Sequence, residues 1–129
     1  MIESLDISNL GVIAHAHVDF GPGLVVVTGE TGAGKTMVLS SLQLLLGARA
    51  DAALVRSGAQ RLSVDGIFLI APDVASRVED AGGFVEGDEL IVGRSVRAAG
   101  RSRAHLGSRP VPASVLADIV GSMVTIHGQ

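Results

Sequence analysis

No cysteine, tryptophan or tyrosine occurs in these 129 residues, only three phenylalanines do, and there is a single lysine. Each scarcity closes off a class of function. Without cysteine there is neither a disulfide framework nor a thiolate metal site. With Phe20, Phe68 and Phe84 as the whole aromatic complement, the chain is not built to stack the bases of a single strand. No apolar run approaches the ~20 residues that span a bilayer, and Met1-Ile2-Glu3 does not open a signal peptide, so the expectation is a cytoplasmic protein with no membrane partner. The net charge of −3 excludes a globally basic nucleic-acid binder. A hydrophobic share of 47% argues against disorder and is enough for the core of one domain at this length.

The lone lysine stands in the most informative segment of the chain. Gly29-Glu30-Thr31-Gly32-Ala33-Gly34-Lys35-Thr36 is a complete G-x-x-x-x-G-K-[ST] phosphate-binding loop. Glycines let consecutive backbone N–H groups curl around a phosphate with no Cβ in the way. Lys35 then supplies a point charge for the outer phosphates, and the Thr36 hydroxyl is placed to ligate Mg²⁺. The flanks agree. Leu24-Val25-Val26-Val27 reads as a buried strand, while Val38, Leu39, Leu42, Leu45 and Leu46 recur at helical spacing up to a Gly47 stop. Strand, loop and helix in that order put the positive end of a helix dipole against the anion. The pattern predicts a site for ATP or another nucleoside triphosphate with Mg²⁺, formed by Gly29, Glu30, Thr31, Gly32, Ala33, Gly34, Lys35, Thr36 and Met37. Glu30, between the loop glycines, is expected to point outward rather than act as a base.

Elsewhere the chain alternates in short strands. Ile2 to Ile7 and Ala14 to Phe20 are expected strands, the second with Ala14, Ala16, Val18 and Phe20 on one face and His15, His17 and Asp19 on the other. Ala48 to Gln60 reads as irregular. Strands are expected over Arg61–Ile70, Leu90–Val96 and Arg103–Leu106, the last closing on a Gly107-Ser108 turn. Asp73 is placed to cap a helix from Val74 to Ala81. Pro112 suits the first turn of a helix running to Val120, with Gly121 as its stop, and a last apolar strand is expected from Ser122 to Ile126.

Two polar features carry alternatives. No acidic residue falls between Glu89 and Asp118, whereas Arg94, Arg97, Arg101, Arg103 and Arg109 do, five of the nine arginines. The stretch is either a patch that neutralises DNA phosphates or a solvated hairpin whose arginines meet acids elsewhere. His15 and His17 share a strand face at a spacing metals use, but no third ligand is evident and a solvent-facing pair is the expectation.

A self-sufficient P-loop enzyme needs a second hydrophobic strand ending in an acid to hold Mg²⁺ and orient water. Val64-Asp65 and Phe84-Val85-Glu86 are the nearest approaches to one, and both are poor. The expectation is therefore the front part of a longer protein. A self-contained kinase or GTPase is the competing reading, although no N-K-x-D guanine motif is present; a non-catalytic nucleotide-binding module is a third.

Ile7-Ser8-Asn9-Leu10, the P-loop itself, Leu46-Gly47-Ala48-Arg49-Ala50, Val55-Arg56-Ser57-Gly58, Gly100-Arg101-Ser102-Arg103 and Ile126-His127-Gly128-Gln129 together resemble the amino-terminal part of the RecN family. These are bacterial ATPases of double-strand-break repair, of the SMC-like, ABC-type class. The resemblance runs in order through essentially all of the chain. It implies an α/β fold: the amino-terminal lobe of an ATPase head, with an antiparallel β layer beside the P-loop core, followed in the full protein by a coiled coil and a carboxy-terminal lobe. It implies ATP and Mg²⁺ as cofactors, double-stranded DNA or DNA ends as partner, a homodimer of heads sandwiching ATP, and association with the nucleoid. Gln129 falls at the glutamine-loop position, which reaches Mg²⁺ and the attacking water, so Lys35 and Gln129 become the catalytic pair, with Thr36 and Gln129 toward the metal. Arg56 matches an arginine near the nucleotide or DNA side, and Arg101 and Arg103 are candidate DNA contacts. The chain departs from the family at Gly107-Ser108, where an Asn-Gly turn is usual; a glycine-first turn still closes a hairpin.

Overall fold

The computed structural model describes residues 2–21, 24–27 and 33–123, and for residues 21, 24–27 and 33–35 only the backbone path. Strands β1 (Ile2–Leu10), β2 (Ile13–Gly21), β3 (Leu24–Val27), β4 (Arg61–Leu69), β5 (Glu89–Arg97), β6 (Ser102–Leu106) and β7 (Arg109–Val111) form one seven-stranded sheet in the order β3-β2-β1-β4-β5-β6-β7. Every neighbouring pair is antiparallel. Helices α1 (Ala33–Leu45), α2 (Pro72–Asp80) and α3 (Ala113–Gly121) pack on one of its faces.

That one-sidedness is written into the alternation of the strands. In β4, Leu62, Val64, Gly66 and Phe68 are buried while Arg61, Asp65 and Leu69 are exposed; in β5 the buried side chains are Leu90, Val92, Arg94 and Val96, and Gly93 between them is buried as well. Register places these residues side by side, with Leu5 opposite both Val18 and Gly66, and Val92 opposite both Gly66 and Leu106. The resulting apolar face meets Leu44 and Leu45 of α1, Val78 of α2, and Leu116, Ile119 and Val120 of α3. Leaving this face covered and the other open is the ordinary economy of an antiparallel sheet.

Two glycines set how closely α1 approaches. A Cβ on Gly66 would lie 2.7 Å from a Leu45 methyl, so the helix end rests directly on β4. Gly47 (φ +86°) ends α1 in the left-handed conformation, and a Cβ there would lie 2.6 Å from the Ala113 carbonyl oxygen at the start of α3.

Several boundaries differ from the sequence reading. Helix α2 begins two residues earlier, with Pro72 in its first turn and Ala71 as a cap that makes no side-chain hydrogen bond; Asp73 instead lies inside the first turn, where its charge suits the dipole. Pro112 is the cap of α3 rather than part of its first turn, and Gly121 is its last residue rather than its stop. The segment after α1 is less irregular than its composition suggests, because Asp51 accepts a 2.9 Å hydrogen bond from the Ala53 N–H and starts a 3₁₀ turn, Ala52–Leu54. Strand β7 was not expected. It contains Pro110, which is tolerated because β7 is an edge. Ala14 is exposed, and Ile13 is the residue of that strand start that packs on the core. Of the expected final strand, Ser122 and Met123 form a turn after α3 and the rest lies outside the described residues.

Candidate functional site

The phosphate-binding segment joins β3 to α1. Of its residues, Gly29, Glu30, Thr31 and Gly32 lie outside the described residues; the backbone of Ala33, Gly34 and Lys35 forms the first turn of α1, and Thr36, also in that turn, is exposed. The 13-residue helix carries no acidic side chain in its first turn, so the helix itself supplies no counter-charge to the positive end of its dipole. Met37 is half-buried, and its sulfur lies where a Cβ on Gly11 would come within 2.7 Å. The β1–β2 turn, with Asn9 and Gly11 both at positive φ, is thereby seated against the beginning of α1. These residues fit a triphosphate with Mg²⁺: a helix start without an acid of its own, an exposed hydroxyl and the sole lysine fall within one turn.

Arg56 braces the same turn. Its guanidinium donates to the Val12 carbonyl at 2.7 Å, its backbone N–H to Asn9 at 2.8 Å, and the Gly11 N–H donates to Leu54 at 2.7 Å. One terminal nitrogen of Arg56 is therefore engaged in holding the β1–β2 turn, a structural task the sequence did not suggest. His127 and Gln129 lie outside the described residues.

The five arginines of residues 94–109 do not form one patch. Arg94 faces the helices and is 3% exposed; its Nη1 donates to the Leu44 and Ala48 carbonyls, both at 2.9 Å, closing the carboxyl end of α1. Burial lowers its pKa, and its Nε has no partner among the described residues. Its removal from the DNA-facing set is a correction, and the strand parity held the clue: position 94 continues Leu90 and Val92. Arg97, Arg101 and Arg103 stay outside, where they meet an arginine the sequence reading left aside. Arg61, Ser95, Arg97, Arg101 and Arg103 line a cleft of about 220 Å³. Register explains the meeting, since Arg61 lies directly opposite Arg97 across β4–β5, and Ser95 opposite Arg103 across β5–β6. The β5–β6 loop is tied by the Arg97 N–H to the Arg101 carbonyl at 2.7 Å, with Gly100 at φ +105°. Arg109 is exposed on β7, outside this cleft.

Next to the cleft on the open face runs a second polar row, His17–Asp6–Asp65–Gly93–His105, one residue from each of five strands. His17 hydrogen-bonds Asp6 through Nδ1 and Asp19 through Nε2, each at 2.9 Å. Those two carboxylates raise its pKa, Asp6 most. Asp65 is also held above its ordinary value, first by desolvation among its neighbours and then by the charge of Asp6, with His105 opposing. Its Oδ1 fills the space over Gly93, 2.9 Å from where a Cβ would be. Among the described residues no group of three or more potential ligands is arranged to hold a metal. His15 lies 3.5 Å from the Ser8 hydroxyl through Nδ1.

The model of the AAA domain matches residues 4–85, which include most of β1, the phosphate-binding segment and α1. The chain belongs to the AAA domain family. It is 54% identical over 125 residues to the DNA repair protein RecN of Streptomyces coelicolor, covering 95% of this chain and 22% of that protein. The chain thus spans about a fifth of the length of this relative. Among solved structures it is similar to an SMC ATPase described for ATP-driven dimerisation and DNA-stimulated activation, with a TM-score of 0.71 at 23% identity over 96% of this chain and 80% of that one. It is also similar to the recombination mediator RecF with ATP, with a TM-score of 0.63 at 14% identity over 85% of this chain and 27% of that one. At these identities the likeness is one of fold, that of the amino-terminal lobe of an ABC-type, SMC-like ATPase head, as the resemblance implied. Among the described residues no helix is long and apolar enough to cross a membrane.

Proposed function

We propose that this AAA-domain chain is the ATP-binding lobe of a RecN-type head acting in DNA double-strand-break repair, in which ATP binding brings two heads together and hydrolysis releases them. The observation that carries the reading is the first turn of α1, where Lys35 and Thr36 follow the glycine segment on a helix with no acid in its first turn. In this reading the N–H groups of residues 29–34 and the Lys35 ammonium bind the phosphates, and Thr36 and Gln129 hold Mg²⁺. The metal, when bound, neutralises charge between the outer phosphates. Arg56 keeps the β1–β2 turn against α1 and retains further guanidinium donors for a phosphate. Arg101 and Arg103 meet duplex DNA, and the other lobe and a second subunit complete the hydrolytic site. The similarity to RecN of Streptomyces coelicolor supports the repair assignment, and such a protein works in the cytoplasm, at the nucleoid.

Titration of the full-length protein with Mg-ATP tests this. Lys35→Ala is expected to weaken binding by ~1.5–3 kcal/mol, the worth of one charge-assisted hydrogen bond to phosphate, with an unchanged circular-dichroism spectrum and no ATP-dependent dimer by light scattering. Wild-type affinity in the variant would count against the loop. The isolated 129-residue chain is expected to turn ATP over negligibly. Lys35-dependent turnover by that monomer would favour the self-contained kinase or GTPase instead.

A further inference from the structure

We infer that the cleft between Arg61, Arg97, Arg101 and Arg103 is a phosphate site for the backbone of duplex DNA, and that a row of serine hydroxyls extends it across the open face of the sheet. The inference rests on the nucleic-acid reading above and gives it a location, partners and a boundary.

Charge argues first. The four guanidiniums have no acidic partner among the described residues. Arg61 and Arg97 stand directly opposite each other on neighbouring strands, a like-charge cross-strand pair that disfavours the empty sheet. An anion lodged between them relieves that repulsion. Size argues next. At about 220 Å³ the cleft is smaller than the roughly 300–1,000 Å³ of pockets that enclose a small-molecule ligand. It holds phosphate groups rather than a whole nucleotide, which suits a polymer that continues beyond it.

Register supplies the continuation. Ser95 lines the cleft, and Ser63 and Ser8 stand beside it in turn on β4 and β1, with Arg103 on the other side in β6. Successive strands are about 4.8 Å apart, so Arg103, Ser95, Ser63 and Ser8 make a track roughly 14 Å long. Arginine and serine side chains are ordinary phosphate partners. No aromatic side chain lines the cleft, so the backbone is held and the bases are not stacked. The adjoining row of Asp6 and Asp65 repels a polyanion and borders the track on that side.

Anisotropy titration of the full-length protein with a duplex of arbitrary sequence, across a range of KCl concentrations, tests the assignment. Arg61→Gln combined with Arg97→Gln is expected to make the slope of log affinity against log salt shallower by about 0.9 for each phosphate no longer neutralised, which for two phosphates is roughly 60-fold in affinity at 0.1 M salt. Arg101→Gln, on the loop between β5 and β6, gives a smaller loss of the same kind without touching a strand. Arg109→Gln, an equal charge change outside the cleft, is expected to leave the slope unchanged. The thermal midpoint of the double variant should stay level or rise, since a like-charge pair is removed; a fall would assign these arginines to the fold and overturn the site. An unchanged slope in the double variant, or an equal loss in Arg109→Gln, also overturns the site, while intact wild-type DNA binding would leave the proposed function standing. Inorganic tripolyphosphate separates the sources of the anion: weak competition supports a polymer site. If tripolyphosphate binds tightly through Arg61 and Arg97 while the duplex does not bind, the cleft serves a free polyphosphate and the DNA reading falls with it.

Discussion

Replacing Arg94 by methionine keeps most of the side-chain volume and removes one feature, the guanidinium that closes the carboxyl end of α1. The native side chain makes two hydrogen bonds of 2.9 Å, to the Leu44 and Ala48 carbonyls. Hydrogen bonds to a charged group contribute roughly 1.5–3 kcal/mol each, so the gross loss is about 3–6 kcal/mol. Against this stands the desolvation of a cation that is 3% exposed, with an Nε lacking a partner among the described residues. Relieving such a buried charge returns about 1–3 kcal/mol. The net expectation is a destabilisation centred on ~2–3 kcal/mol, the middle of those ranges, concentrated where two carbonyls lose their donor and the helix dipole loses its closing charge.

The assay is amide hydrogen exchange on peptides covering residues 33–48. A local cost of ~2–3 kcal/mol corresponds to exchange roughly 30- to 150-fold faster there, at 1.4 kcal/mol for each tenfold. Peptides from β1 and β2 are expected to change much less. Arg94→Lys, which keeps a cation but on a shorter side chain that reaches the two carbonyls less well, should fall between. Wild-type protection of α1 in the methionine variant would refute the reasoning. It would mean that the desolvation cost already cancels both bonds.

Three further outcomes follow from the open face and the helix end. Asp65→Asn is expected to stabilise the protein at neutral pH and not below about pH 3.8, its ordinary value, because a raised carboxylate pKa means that the fold disfavours the charged form and loses stability as pH rises through the shifted value; thermal melts at the two pH values test the sign. His17 should titrate above 6.5 by NMR, and Asp6→Asn should bring it down more than Asp19→Asn does; stability relative to His17→Gln should be greatest below pH 6.5 and fade as pH rises through the folded-state value. Gly47→Ala is expected to cost about 1–3 kcal/mol in chemical denaturation, because the new Cβ meets a backbone oxygen of α3 at 2.6 Å while the residue holds φ at +86°; an unchanged midpoint would show that α3 shifts away freely.

What the sequence made legible was local. The strand before the glycine segment and the helix after it needed only two hydrophobic periods, and the two faces of the strand that carries His15, His17 and Asp19 needed one. What it hid depends on register. Arg61 and Arg97 lie 36 positions apart and become neighbours only when β4 pairs β5, so a charge count along the chain groups Arg97 with Arg94 and omits Arg61. Strand β7 was hidden by Pro110, whose missing N–H argues against a strand everywhere except at an edge. Asp51 was overlooked as a cap because the turn it starts is only three residues long.

Arg94 and Arg97 also show why charge clustering in sequence and charge clustering in space part company. A strand alternates its side chains, so of the run 94–97 the even positions face the helices and the odd ones face solvent. One strand thereby holds the end of the P-loop helix on one side and builds the anion cleft on the other. Slipping β5 by one residue would bury Arg97 and expose Arg94, breaking both features at once. The register is guarded against that slip from both neighbours: Val92 packs between Gly66 and Leu106, and Gly93 is the residue that leaves room for the Asp65 carboxylate. A side chain at position 93 would displace Asp65. Gly93 is thus fixed by what passes over it, and with it the parity that sends one arginine inward and the other out.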